Sequence, residues 1–138
     1  MTKKILYLIR GVPGSGKTTL AKIIESTRLW PSNIHFEADQ FFVNPKTKEY
    51  KYDKKLIAQA HADCQRKTRK AMWKDIPVII VSNCFIQQWE LDPYYMLADK
   101  LEYHIVEIIC KGNFKSIHDV PQETIDRMKG QFQYDQEC

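Results

Sequence analysis

Residues Gly11-Val-Pro-Gly-Ser-Gly-Lys17-Thr18 carry the spacing GxxxxGK[ST] in full. Each fixed position of this octet has a chemical use. Glycines let the main chain turn sharply and approach an anion with no Cβ in the way. The amide N–H groups of residues 14–19 can then converge into a nest for phosphate oxygens. The helix that follows adds its own free N–H groups and the positive end of its dipole. Lys17 is placed to bridge the β- and γ-phosphates, and the Thr18 hydroxyl to ligate Mg²⁺. Gly11, Pro13, Gly14, Ser15, Gly16, Lys17, Thr18 and Thr19 are therefore the candidate contacts for a nucleoside triphosphate, read here as ATP with Mg²⁺. A glycine-rich turn that merely links strand to helix would need neither Lys17 nor Thr18. The octet points to a phosphoryl donor and leaves the acceptor open: water, a hydroxyl, or none.

Such a loop works only between a strand and a helix, and the flanking residues predict both. Residues 4–10 are bulky, apolar and β-forming, and end at a glycine. From Thr18 to Leu29 the apolar residues recur at helical spacing, and Pro31 ends the pattern. A short strand is expected over 34–37 and a surface loop over 43–53. Asp53 reads as the N-cap of a long helix over 54–74, with Leu56, Ile57, Ala60, Cys64 and Met72 as its buried stripe. The unbroken apolar run Pro77 to Val81 fits a parallel strand buried on both faces. A helix near 88–100, a strand near 103–109, a polar loop over 111–120 and a last helix from Pro121 to about Phe132 complete the pattern. This alternation predicts an α/β fold: a central parallel sheet of four or five strands with helices on both faces. Ligands of such sheets bind beyond the carboxyl ends of the strands.

The 138 residues suit one domain, 1–138, with 43% apolar and 28% charged residues. The net charge of +4 permits a polyanionic partner without demanding one. Residues 44–75 hold ten Lys or Arg against four Asp or Glu, so the basic character is concentrated there. Cys64, Cys84, Cys110 and Cys138 form no CxxC pair. That argues against a zinc ribbon or a disulfide framework and for free thiols in a reducing cytosol. No signal-peptide core and no apolar run of membrane length is present, so an intracellular, cytoplasmic protein with no membrane partner is expected.

Several separated stretches resemble the small P-loop kinases related to bacteriophage 5′-polynucleotide kinase and the zeta toxins. One is Phe36-Glu37-Ala38-Asp39-Gln40-Phe41-Phe42, after the second predicted strand. The residues alone favour a helix cap at Asp39; the resemblance implies instead that Asp39 is the base for an acceptor hydroxyl, and one residue could do both. A second is Glu49-Tyr50-Lys51-Tyr52, leading into the helix with Ala60-His61 and Gln65 to Met72. There the resemblance implies an acceptor groove with Gln65 and Arg69 as contacts. His61 reads more simply as a structural histidine, and Arg66, Lys67, Arg69 and Lys70 equally as a solvated helix face. A third is Lys111 to Met128, which resembles the kinase lid at about 111–121. In that family the lid carries an Arg over the triphosphate; here Lys115 stands nearest that position, with Lys111 close by. A lysine keeps the charge and loses the planar fork.

The resemblance implies a three-layer P-loop kinase fold. It also implies transfer of the ATP γ-phosphate to a hydroxyl, with the 5′-hydroxyl end of DNA or RNA as partner. Asp39, Lys17 and Lys115 would be the catalytic set. Three departures accompany it. The strand Val78–Val81 is followed by Ser82 where the family has an acid, so metal binding falls to Thr18 and Ser82. Phe42 replaces the Arg that grips a substrate phosphate, and Lys115 replaces the lid Arg. Phe42 as a stacking surface motivates a second reading, a nucleoside, nucleotide or modified-DNA-base kinase. Ser82 and Lys115 motivate a third, a non-catalytic ATP-binding regulatory module.

Overall fold

The computed structural model describes residues 3–27, 34–114 and 120–134. Four parallel strands form its sheet in the order β2-β3-β1-β4: β1 Ile5–Arg10, β2 His35–Phe36, β3 Val78–Ser82 and β4 His104–Ile109. The central strand β1 pairs with β3 from Ile5↔Val78 to Ile9↔Ser82, and with β4 from Ile5↔His104 to Arg10↔Ile109. β2 joins β3 through His35↔Ile80 and Phe36↔Val81. Four α-helices connect and cover the strands: α1 Lys17–Ser26, α2 Ile57–Trp73, α3 Asp92–Leu101 and α4 Gln122–Gln131.

Alternation along the strands divides the core into two faces. Leu6 and Leu8 of β1 and Ile79 and Val81 of β3 pack with Ala60, Cys64 and Met72 of α2 and Tyr94 and Ala98 of α3. Ile9 and Ile80 turn the other way and pack with Ala21 of α1 and Ile34. All five residues of β3 are buried, as a strand covered on both faces requires. The predicted α/β architecture is the one observed.

Some boundaries differ from those expected. β2 is only two residues long, because the next free backbone N–H, that of Ala38, donates to the Asn83 side chain (2.8 Å) instead of to a strand. Asp53 caps a short 3₁₀ turn, Lys54–Leu56, by accepting from the Lys55 N–H at 3.0 Å, and α2 begins only at Ile57. Ile57 is therefore exposed, while Ala60, Cys64, Thr68, Ala71 and Met72 form the buried stripe. Pro121 stands at the N-cap of α4 and not at its first helical residue.

Direction along α2 matters for function. The helix ends at Trp73, and Lys74 to Pro77 lead at once into the start of β3. At about 1.5 Å per residue, Arg69 lies roughly 18 Å along the axis from Ile57. The C-terminal turns of α2 thus sit at the amino ends of the strands, where Lys4 Nζ meets Asp75 Oδ1 at 3.4 Å. The carboxyl ends, at Arg10, Phe36, Ser82 and Ile109, lie at the opposite side of the sheet.

Candidate functional site

The octet runs directly from the carboxyl end of β1 into α1. Gly16 occupies the N-cap of α1 with φ 100°, a left-handed conformation that suits glycine, and Gly14 has φ 81°. Gly11 is required for a different reason: a Cβ there would lie 2.2 Å from Ser15 Oγ and 2.8 Å from the Cys110 carbonyl. Ser15 Oγ is buried and has no hydrogen-bond partner among the described residues, a polar atom left available beside the nest. Lys17 Nζ donates to the carbonyls of Gly11 (2.8 Å) and Val12 (3.1 Å), which folds the ammonium over the loop. A strap from the end of β4 braces the outside. The Gly112 N–H donates to Ser15 O (3.0 Å) and the Phe114 N–H to Gly14 O (2.7 Å). Beside this strap lies a cleft lined by Gly11, Val12, Cys110, Lys111, Phe132 and Tyr134, with the Lys111 ammonium 4.9 Å from the centre of the Tyr134 ring.

Beyond the P-loop, the tips of β2 and β3 are joined through side chains. Glu37 Oε2 accepts from both Thr18 Oγ1 (3.3 Å) and Ser82 Oγ (3.1 Å). Ser82 Oγ also lies 2.6 Å from His35 Nε2. The serine has one proton and gives it to Glu37, so His35 Nε2 carries its own proton and donates. Burial holds the His35 imidazole below its ordinary value, against the pull of Glu37 and Glu25, and so favours that neutral form.

Asp39 follows on the 3₁₀ segment Ala38–Phe42. Its Oδ1 accepts from the Tyr50 hydroxyl at 3.2 Å. Burial first, and then the Asp39 charge, push the Tyr50 phenol far above its ordinary value, so it stays protonated and keeps donating. Tyr50 is held by a small hairpin. Val43 and Tyr50 form an antiparallel bridge, Asn44 N–H donates to Glu49 O (2.9 Å), and Asn44 Oδ1 accepts from the N–H groups of Lys46 (2.8 Å) and Thr47 (3.2 Å). Lys46, Lys48, Lys51, Lys54 and Lys55 are exposed on and after this hairpin.

The structure gathers the residues expected at the donor site: Gly11, Pro13, Gly14, Ser15, Gly16, Lys17, Thr18 and Thr19 on the loop and the first turn of α1, and Lys111 at the adjoining cleft. Asp39 stands two residues from Glu37, which touches Thr18. Phe42 is only 7% exposed and packs on the rings of Phe41, Tyr50 and Tyr52, so it offers no open ring face to a base. Gln65 lies half-buried near mid-helix on α2, and Arg69 on its remote half, where it stacks on Trp73 at 5.0 Å. The basic run 44–75 is therefore split: its lysines up to Lys55 lie on and just after the hairpin that holds Tyr50 against Asp39, whereas the basic residues from Arg69 onward sit at the far end of the sheet. Lys115 lies outside the described residues, with the rest of the lid segment 115–119.

Glu37 and Tyr50 are the residues that sequence reasoning missed. Tyr50 stood within a noted stretch but without a role. The carboxylate of Glu37 stands where Ser82 lacks one. For Mg²⁺ the donor set fits: Thr18, Ser82 and Glu37 supply only hard oxygens. No group of three or more His, Cys, Asp or Glu that could enclose an ion occurs among the described residues. Mg²⁺ is commonly held in this way, by one or two protein groups with phosphate oxygens and water completing its shell.

Solved structures share this fold. A chain of the Pnkp1/Rnl/Hen1 complex superposes with a TM-score of 0.62 at 16% identity, over 92% of this chain and 39% of that one. The APS kinase CysC of Mycobacterium tuberculosis superposes with a TM-score of 0.56 at 10% identity, over 95% of this chain and 98% of that one. The chain has a P-loop kinase-like fold. In sequence, this P-loop kinase-like chain is 34% identical over 139 residues to NEDD4-binding protein 2 of Homo sapiens, a match over 94% of this chain and 8% of that protein. It is 28% identical over 108 residues to the 2′,3′-cyclic-nucleotide 3′-phosphodiesterase of Pongo abelii, over 75% of this chain and 23% of that protein. It thus spans only a small part of either relative. No family model matches the chain. Among the described residues, no helix is long and apolar enough to cross a membrane.

Proposed function

We propose that the chain is an ATP-dependent phosphotransferase that passes the γ-phosphate to a hydroxyl, and that the hydroxyl is the 5′ end of a DNA or RNA strand. The observation that carries this reading is Asp39. It stands on the turn after β2, next to the Glu37–Thr18 contact, with one carboxylate oxygen oriented by Tyr50. A module that only bound nucleotide would have no use for an oriented carboxylate there.

ATP sits with its phosphates in the nest of residues 11–19 and its base in the cleft between Cys110 and Tyr134. Lys17 releases the loop carbonyls and moves onto the β- and γ-phosphate oxygens. Asp39 accepts the proton of the attacking hydroxyl as that oxygen bonds to the γ-phosphorus. The bond from the γ-phosphorus to the β–γ bridging oxygen breaks, and ADP leaves. Mg²⁺, when bound, supplies positive charge to the phosphate oxygens. Lys115 would add a second cation from the lid. The lysines of the Asn44–Lys55 region flank the acceptor side and suit an approaching polyanion. A relative named for 2′,3′-cyclic nucleotides is in keeping with an acceptor of nucleotide chemistry.

The test is transfer of label from γ-labelled ATP to a 5′-hydroxyl oligonucleotide, with free nucleosides in parallel. Asp39→Asn should lower turnover by about 10²–10⁴-fold while nucleotide binding persists. Lys17→Ala should lose both binding and turnover. Wild-type transfer no greater than that of Asp39→Asn would reject the kinase reading, and labelling of free nucleosides alone would reject the 5′ end as acceptor.

A further inference from the structure

The acid missing from the end of β3 has a counterpart on the neighbouring strand. We infer that Glu37, at the tip of β2, supplies the negative charge of the Mg²⁺ site in place of an acid at Ser82. This rests on the ATP-dependent reading above.

The geometry is specific. Thr18 points its only hydroxyl proton at Glu37 Oε2 (3.3 Å), so the lone pairs of Thr18 Oγ1 are left to face a cation. Ser82 does the same toward the same oxygen (3.1 Å), and His35 closes the chain by donating to Ser82 Oγ (2.6 Å). The carboxylate therefore acts on the hydroxyl that the P-loop devotes to the metal. A carboxylate behind a ligating group fixes its orientation and raises its basicity. A full negative charge beside a divalent ion is also a large favourable term in a partly buried site. Glu37 is a positioning residue in this scheme, and its second oxygen is available to a metal-bound water.

Sheet order makes the substitution possible. β2 and β3 are hydrogen-bonded neighbours with Phe36 opposite Val81, so the residues that follow, Glu37 and Ser82, lie side by side at the carboxyl edge. A carboxylate can reach the same point from either strand. The Asn83 side chain, accepting from Ala38 N–H at 2.8 Å, fixes the turn just beyond Glu37 and so holds that carboxylate in register.

Two measurements separate this role from a structural one. The first is nucleotide affinity by calorimetry, with Mg²⁺ and with chelator. The second is Mn²⁺ affinity of the protein–ADP complex by electron paramagnetic resonance, which needs no turnover. Glu37→Gln keeps an acceptor for Thr18 and Ser82 and removes the charge. It should weaken Mn²⁺ binding by about 10–100-fold. Metal-free nucleotide affinity should stay equal or improve, because a negative charge near the triphosphate is gone. Adding Ser82→Asp to Glu37→Gln should restore Mn²⁺ affinity, since the acid then returns on the adjacent strand. Unchanged Mn²⁺ affinity in Glu37→Gln, or no recovery in the double variant, overturns the role of Glu37 while leaving the nucleotide site intact. No nucleotide binding by the wild-type protein under either condition overturns the ATP-dependent reading itself, and Glu37 with it.

Discussion

Arg10→Met should cost a large share of the stability of this protein. Arg10 closes β1 immediately before Gly11 and its side chain is 0% exposed. Its guanidinium donates through Nε (3.1 Å) and Nη2 (2.9 Å) to the Phe85 carbonyl, and through Nη2 to the Gln133 carbonyl. Nη1 lies 3.3 Å from Glu107 Oε2, on a side chain that is 9% exposed, and the plane sits 4.6 Å from the Phe132 ring centre. Methionine fills similar space but leaves a nearly buried carboxylate without this cation and a buried carbonyl without these donors. Breaking a buried pair in this way costs about 3–5 kcal/mol, against a total stability of about 5–15 kcal/mol for a domain. The assay is equilibrium urea unfolding followed by tryptophan fluorescence, with the slope checked for constancy. Arg10→Lys should lose less, since it keeps the charge and forfeits the fork. Arg10→Met with Glu107→Leu should recover part of the loss, because the stranded charge is removed as well. A loss below about 1 kcal/mol for Arg10→Met, or a double variant as unstable as the sum of its parts, would refute the reasoning.

Tyr50→Phe deletes the donor to Asp39 and leaves the P-loop alone. A hydrogen bond to a charged group contributes about 1.5–3 kcal/mol, so kcat should fall roughly tenfold or more with KM for ATP unchanged. Steady-state kinetics would read this, and a shift in KM alone would contradict it. Burial raises the Cys64 thiol, and the residue is only 1% exposed. The thiolate is the reactive form, so Cys64 should resist thiol reagents at pH 8 in the native protein and label on unfolding. Because its folded pKa is raised, its contribution to stability is complete below the unfolded value of about 8.5 and is lost as pH rises through the folded value. Mass spectrometry after native labelling checks the first claim, and urea midpoints measured between pH 7 and 10 check the second.

What could be read in the sequence follows from how local each signal is. The octet declares itself because its eight residues are contiguous, and β1 and α1 follow from their apolar periods. β3 is legible because a strand buried on both faces is apolar throughout. Glu37 was illegible in its role, since its partners Thr18 and Ser82 are distant in sequence and meet it only once β2 lies beside β3. Phe42 suggested an open stacking face, because residue type alone does not reveal the Phe41, Tyr50 and Tyr52 rings that enclose it. Composition concentrates the basic residues between Lys46 and Lys74 and does not say where they lie. A helix running away from the site carries the later ones to the other end of the sheet, and that follows from topology and not from composition.

The strand order has a consequence for timing. β1 is made before both strands that flank it, Val78–Ser82 and His104–Ile109, which lie about 70 and 100 residues further on. Pairings this distant in sequence carry a large loop-closure entropy and are slow to form. On the ribosome the octet therefore emerges before the two neighbours that will hold its leading strand. The strap from Gly112 and Phe114 to the loop arrives later still. The octet is thus made before the contacts that shape it, and a chain interrupted before Ile109 would carry the phosphate motif without the nest.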